Sequence, residues 1–190
     1  MSQAALRPGE LLVVNGANGG VGTAAVQIGS AAGARVLATV RAPELRGAVA
    51  ALGATVIDPA ELVQRAEAEG GADVVLELVG GPNLDVDLQA LAMKGRIVIV
   101  STAAGIEATL DLRKLMGRRA RVLGTMLRAR PLDEKATAIR AFAREVAPHL
   151  ASGRIVPLVD RVFPAEQAAA ALDRLAEKGK LGKVLLDFAR

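Results

Sequence analysis

The sequence predicts an α/β chain: a doubly wound parallel six-stranded sheet with helices on both faces, followed by a smaller C-terminal β-α-β appendage. Three observations predict it. Residues 11–27 (LLVVNGANGGVGTAAVQ) pass from four consecutive apolar residues through a glycine-rich turn into a helix start. Strand-like and helix-like segments then alternate through the first two-thirds of the chain. Gly33, Gly53, Gly70, Gly71, Gly80, Gly81 and Gly95 fall between those segments, where chain reversals need them. Such alternation marks consecutive βαβ units.

The elements follow in order. Leu11, Leu12, Val13 and Val14 read as a strand buried on both faces. Val21 to Ala32 is a helix with an apolar face of Val21, Ala24, Ala25, Ile28 and Ala32. Further strands are expected at Arg35–Val40, Thr55–Ile57, Asp73–Val79, Arg96–Val100 and Arg121–Leu127, with helices at Glu44–Leu52, Ala60–Glu69 and Leu84–Ala92. Helical periodicity continues over Asp133–Ala151 through Ala136, Ile139, Ala143, Val146 and Leu150. The rhythm then changes. Ile155–Phe163 is extended around Pro157, Ala165–Glu177 is helical, and Lys183–Phe188 is a short strand. We therefore divide the chain into a dinucleotide-binding domain, residues 1–154, and a C-terminal segment, residues 155–190.

Composition narrows the chemistry. A chain of 190 residues that is 52% hydrophobic, with mean hydropathy +0.34, can fill a core, mostly with aliphatic side chains. There is no Cys, which excludes disulfides and thiolate metal sites. The single His149, read as structural or solvated, leaves no protein-built zinc site, so no metal is expected. No signal peptide or membrane-length apolar run is evident, so the expected setting is the cytoplasm, without membrane contact. The net charge of +4 is concentrated at Arg113, Lys114, Arg118, Arg119, Arg121, Arg128 and Arg130. No aromatic residue is interleaved to stack on bases, so a solvated, edge-protecting face is favoured over nucleic-acid binding.

The glycine turn carries the main functional signal. A strand followed by glycines and a helix N-terminus makes an anion site, because the first helical N–H groups lack partners and the macrodipole is positive there. A dinucleotide pyrophosphate suits it. The strict G-x-G-x-x-G spacing is not met: the register is Ala17, Asn18, Gly19, Gly20, Val21, Gly22, with Ala17 in the first glycine's place. At the end of the second strand an acidic residue would pair with the adenosine ribose and favour NAD. Arg41 stands there instead, with Arg46 a helical turn on, and an arginine can bond a 2′-phosphate. NADP (NADPH) is therefore the expected cofactor. The strand ends Leu78-Val79-Gly80-Gly81 and Val100-Ser101-Thr102-Ala103 suit backbone contact with a nicotinamide ribose and carboxamide, or are tight turns only. Glu77, inside an apolar strand, reads as a strand-end carboxylate reaching solvent.

These motifs resemble the medium-chain dehydrogenase/reductase superfamily, above all its quinone oxidoreductase (zeta-crystallin-like) branch. The segments LRPGELLVVNGANGGVGTAAVQIGSAAGARVLATVR, GADVVLELVGG, KGRIVIVSTAAG, GRIVPLVDRVFP and GKVLLDF carry the resemblance, in order and over nearly the whole chain. It implies a Rossmann domain whose parent enzyme passes hydride from NADPH to a quinone, enone or enoyl acceptor without zinc. It further implies that Gly19, Gly20, Val21 and Gly22 form the pyrophosphate loop and that Arg41 and Arg46 meet the adenosine ribose or its phosphate. Leu78, Val79 and Gly80 would face the nicotinamide ribose, Val100, Ser101 and Thr102 the carboxamide, and Lys183 the cofactor phosphates. The family's N-terminal catalytic domain has no counterpart in the sequence, so the chain reads as the cofactor half of a reductase, and its tail is expected to lack strand partners. The catalytic residues stay unassigned.

Two alternatives compete. A short-chain dehydrogenase fits Gly16, Gly20 and Gly22, but that family needs a catalytic Tyr and this chain has none. A non-enzymatic NADP-binding sensor or scaffold remains open. Finally, the apolar sixth strand, Arg121–Leu127, is an edge expected to pair a homodimer.

Overall fold

The computed structural model describes residues 3–189. In chain order the elements are β1 (Leu11–Val14), α1 (Gly20–Ala31), β2 (Arg35–Thr39), α2 (Pro43–Ala50), β3 (Thr55–Ile57), α3 (Leu62–Ala68), β4 (Ala72–Glu77), α4 (Leu84–Ala90), β5 (Leu91–Ile99), α5 (Leu112–Arg118), β6 (Arg121–Gly124), α6 (Leu132–Glu145), α7 (Ala147–Ala151), β7 (Val159–Pro164), α8 (Ala168–Ala176) and β8 (Lys183–Asp187). Six parallel strands are ordered β3-β2-β1-β4-β5-β6, the doubly wound arrangement.

β1 explains why its sequence is apolar without alternation. Side chains alternate between sheet faces, and both faces are covered. Leu11 and Val13 join Leu37, Val75 and Ile97 under α3 and α4, through Leu62, Ala66, Leu84 and Leu88. Leu12 and Val14 join Val36, Ala38, Val74 and Val98 on the opposite face, with Val26 of α1 and Val49 of α2. Because all six strands run parallel, their carboxyl ends lie on one edge.

Several boundaries differ from the sequence reading. β5 begins at Leu91, directly after α4, and its register against β4 shifts between Ala72 and Val74, near Lys94 with its positive φ of 64°. β6 ends at Gly124, leaving Met126 and Leu127 exposed in the following turn. The long helix breaks at Val146, because Pro148 cannot supply a backbone donor in its interior. Ile139 of α6 is exposed rather than core. On α1 the buried residues are Gly22, Thr23, Val26, Gln27 and Gly29, while Val21 is half exposed. At Gly29 close approach leaves no room for a side chain, since a Cβ there would stand 2.7 Å from Leu12 Cδ2. The tail strands do not lack partners, since β7 and β8 pair with each other in parallel.

Arg96 ties the N-terminal segment to the sheet. Buried on β5, it donates to the Ala4 and Ala5 carbonyls, to the Asp73 carbonyl at 3.2 Å, and to both Glu10 oxygens, at 3.1 and 2.6 Å. The Arg96 guanidinium holds the Glu10 carboxyl below its ordinary range. Removing one partner of such a pair leaves the others unmatched. Arg96→Met should therefore lower unfolding free energy by about 3 kcal/mol in urea titrations. Because the folded Glu10 value is depressed, its stabilisation is present above the unfolded value and is lost as pH falls through the folded one. The variant should show a shallower loss of stability in acid.

Candidate functional site

The turn after β1 lies at the topological switch point, where the chain leaves β1 towards neighbours on opposite sides, β2 and β4. The first intrahelical bond of α1 runs from the Thr23 N–H to the Gly19 carbonyl, 2.9 Å. The N–H groups of Val21 and Gly22 precede it, with no capping side chain and no acidic residue in the first turn, while the Gly19–Gly182 bridge turns the Gly20 N–H to the Gly182 carbonyl. Gly22 allows the helix to sit this close: a Cβ there would stand 2.5 Å from the Gly16 carbonyl oxygen and 2.6 Å from Ala17 Cα. The obstruction is the turn itself, not the sheet.

The C-terminal segment closes over this cradle. Asn18 donates to the Lys180 carbonyl at 3.1 Å, and Gly182 N–H donates to the Asn18 carbonyl at 2.9 Å. Gln27 exchanges a reciprocal pair with Val156, accepting at 2.8 Å and donating at 3.0 Å. β8 therefore starts at the helix N-terminus, and the Lys183 stem crosses Gly20, where a Cβ would meet its Cδ and Cε at 2.5 Å. Lys183 is exposed, and its ammonium has no partner among the described residues.

The two arginines separate. Arg41, just past β2, is exposed and unpartnered among the described residues. Arg46 is committed elsewhere: it donates to the Val40 carbonyl at 3.0 Å and pairs with Asp58 at 2.5 Å. Asp58 caps the turn after β3, and the Ala60 N–H, then Arg46, hold its carboxyl below the ordinary range. Arg46 thus joins β2 to the segment after β3 instead of standing free for a ribose phosphate, as the resemblance implied.

At the ends of β4 and β5 the two remaining segments meet. Ala104 N–H donates to the Val79 carbonyl at 2.8 Å, and Gly81 N–H to the Gly105 carbonyl at 3.0 Å. Gly80, at φ +123°, adopts a conformation that L side chains rarely take, and a Cβ there would lie 2.8 Å from Thr102 Cα. Leu78 and Ser101 are partly buried, while Val100 and Thr102 are exposed at the edge.

Beneath these segments lies a polar network that sequence reasoning missed. Glu77 does not reach solvent; it is 1% exposed. Its Oε1 accepts from the Val79 and Gly80 N–H groups, the latter at 2.6 Å. Its Oε2 accepts from Asn15 Nδ2 at 2.7 Å and Asn83 Nδ2 at 3.2 Å. Asn15 also donates to Asp87 Oδ1 at 2.6 Å and accepts from Thr39 Oγ1 at 3.0 Å. Burial, then the Glu77 charge, push the Asp87 carboxyl up to about 9. A usable signal existed: polar residues at the inner ends of three apolar strands, and Asp87 beside the core positions Leu84 and Leu88. Among the described residues no three His, Cys, Asp or Glu side chains gather to hold a metal ion.

Comparison with known proteins accords with this arrangement. Residues 20–144 match the family model described as zinc-binding dehydrogenase. The chain is 30% identical over 187 residues to a quinone oxidoreductase of Rattus norvegicus, covering 95% of this chain and 55% of that protein. It is 32% identical over 186 residues to an acryloyl-coenzyme A reductase of Metallosphaera sedula, covering 98% and 53%. The quinone oxidoreductase of Thermus thermophilus, solved also with NADPH, superposes with TM-score 0.89 at 38% identity, over 98% of this chain and 60% of that one. The chain thus spans about half the length of the curated relatives it matches. On its fold, its glycine turn and these matches, the chain belongs to the medium-chain dehydrogenase/reductase superfamily, within the part of that superfamily that binds the cofactor.

Proposed function

We propose that the chain is the NADPH-binding part of a zinc-independent oxidoreductase that reduces a carbonyl-conjugated acceptor, a quinone, an enone or an enoyl thioester. The observation that carries this reading is the convergence of unpartnered donors on one sheet edge. The Val21 and Gly22 N–H groups, with Lys183 beside them, suit a pyrophosphate. Arg41 at the end of β2, where no acidic residue stands, suits a 2′-phosphate. Leu78–Gly80 and Val100–Thr102 offer small side chains and backbone to a nicotinamide and its ribose. Bound there, the cofactor would supply a hydride. The chain's own residues would hold its two ends and orient the ring, while a further domain holds the acceptor. The names of the relatives favour such acceptors. The composition, without Cys and with one His, suits a chain that supplies no zinc ligand set. A cytoplasmic setting belongs to the same reading; among the described residues no helix is long and apolar enough to cross a membrane.

Calorimetric titration tests the cofactor assignment. NADPH should bind more tightly than NADH, and Arg41→Asp should cost NADPH about 2 kcal/mol, roughly 30-fold in affinity. Equal affinities for both cofactors in the unmodified chain would overturn the NADP preference. Gly22→Val should abolish binding, because its side chain would strike Gly16 and Ala17 and displace the helix N-terminus.

We further propose a homodimer through the edge formed by Arg121–Leu127. β6 is the last strand of the sheet, and Val122 and Leu123 pack on opposite core faces, so its outer backbone is free in the monomer. Next to it, Met126 and Leu127 are exposed and an open apolar groove of about 650 Å³ runs between Leu127 and Phe142. Thr125 N–H bonds back to Ile99, so by the two-residue period the Val122 and Gly124 N–H groups point outward. Gly124→Pro would remove an outward donor and leave the β5 pairing intact. Light scattering should find dimers for the unmodified chain and monomers for this variant; a monomeric unmodified chain at micromolar concentration refutes the proposal.

A further inference from the structure

Asp87 is the ionisable group near the site to which the cofactor reading gives no task. It stands on α4 with no exposed surface, next to the core residue Leu88. Its Oδ1 accepts from Asn15 Nδ2, while Oδ2 has no partner, alone among the buried side-chain nitrogens and oxygens of the described residues. Against it lies Glu77, whose four donors already occupy both oxygens: the Val79 and Gly80 N–H groups and the Asn15 and Asn83 amides. One carboxyl of the pair accepts on both oxygens, and the other has a bare oxygen. A single proton resolves both facts if it sits on Asp87 and is donated towards Glu77.

We propose that Asp87 is a positioning residue for the cofactor loop: as the neutral acid it steadies Glu77, and Glu77 in turn fixes the Val79 and Gly80 N–H groups at the nicotinamide side of the cleft. The proposal rests on the cofactor reading above. Ionising Asp87 would set two negative charges together in a dry interior, and the repulsion would act on the loop that Glu77 holds through the Val79 and Gly80 N–H groups. Asp87 should keep its proton up to about pH 9. The surrounding charges do not compete. On α5, Lys114 is paired with Asp85 and Arg118 with the Leu91 and Gln89 carbonyls. Arg65 and Glu67 of α3 and Lys94 and Arg96 of β5 are not among the groups acting on Asp87, while Asn15, Thr39 and Asn83 are neutral. The chain has no Cys or Tyr and one His, so Lys and the terminal amine are nearly alone in changing charge between pH 7 and 10.

The sign follows from linkage. The folded value of Asp87 lies above the unfolded one, so its contribution to stability is whole below the unfolded value and is lost progressively as pH rises to about 9. Asp87→Asn keeps the shape, donates an N–H to Glu77 and cannot ionise.

The test uses the full chain and three measurements. Without cofactor, infrared spectra at pH 7 should show a protonated-carboxyl band that is lost in Asp87→Asn, and the Val79 and Gly80 amide resonances should shift in one transition near pH 9 that the variant lacks. With cofactor, the unmodified chain should lose roughly tenfold or more in NADPH affinity between pH 7 and 10. Asp87→Asn should lose less than about threefold over the same range, Lys titration being common to both. A protonated-carboxyl band absent from the unmodified chain, or a variant with the same pH profile, overturns the proposal. Should Asp87→Asn not fold, the amide titration of the unmodified chain decides alone: no transition near pH 9 overturns it. If NADPH fails to bind at every pH, the cofactor reading falls, while the two cofactor-free measurements still judge the proton and the loop.

Discussion

The packing of α1 against the turn after β1 is the contact on which the rest of the site depends. It requires Gly22, because any side chain there would collide with the Gly16 carbonyl and the Ala17 backbone. With the helix seated, its Val21 and Gly22 N–H groups are left without intrahelical partners at the strand carboxyl ends, and the helix dipole adds to them. The same seating brings Asn18 to the C-terminal segment and Lys183 across Gly20. A cation from the far end of the chain thus reaches a helix N-terminus built near its beginning.

The floor of the cleft obeys a different constraint. Asn15, Thr39 and Glu77 end three neighbouring strands, and Asp87 approaches from α4. Burying such groups is costly unless each finds a partner, so the network is worth keeping only as a connected whole. Its outlet is the pair of N–H groups of Val79 and Gly80, through which the buried cluster holds the loop after β4. The apolar layers hold the strands in place; the polar layer sets the shape at their ends.

Charge is used locally. Much of the basic cluster that gives the chain its positive balance is spent on structure. Lys114 meets Asp85, Arg118 meets the carbonyls at the end of α4, and Arg130 reaches Thr125. Arg46 closes on Asp58, and Arg174 is held by Asp160 at 2.7 Å. Arg41 and Lys183 are left exposed and unpartnered among the described residues, and both lie at the carboxyl edge of the sheet.

The sequence by itself determined the parallel doubly wound sheet and the glycine turn that opens α1. Both follow from local signals: continuous apolar runs demand cover on both faces, and glycines before a helix expose its first donors. It also determined Arg41 as the residue facing the second strand's end, since that position is set by counting along one strand. Tertiary structure decided what depends on partners distant in sequence. Arg46 and Arg41 look alike in one dimension, and the bonds of Arg46 to Asp58 and the Val40 carbonyl distinguish them. Glu77 looks like a solvent-reaching carboxylate until Asn15, Asn83 and Asp87 close around it. The buried face of α1 departs from its apolar periodicity because Gly22 and Gly29 lie too close to the turn and sheet for a side chain, and Gln27 is held by Val156 of the C-terminal segment. A side chain's neighbours across the sheet, not its own type, settle whether a polar group is free to act or already committed.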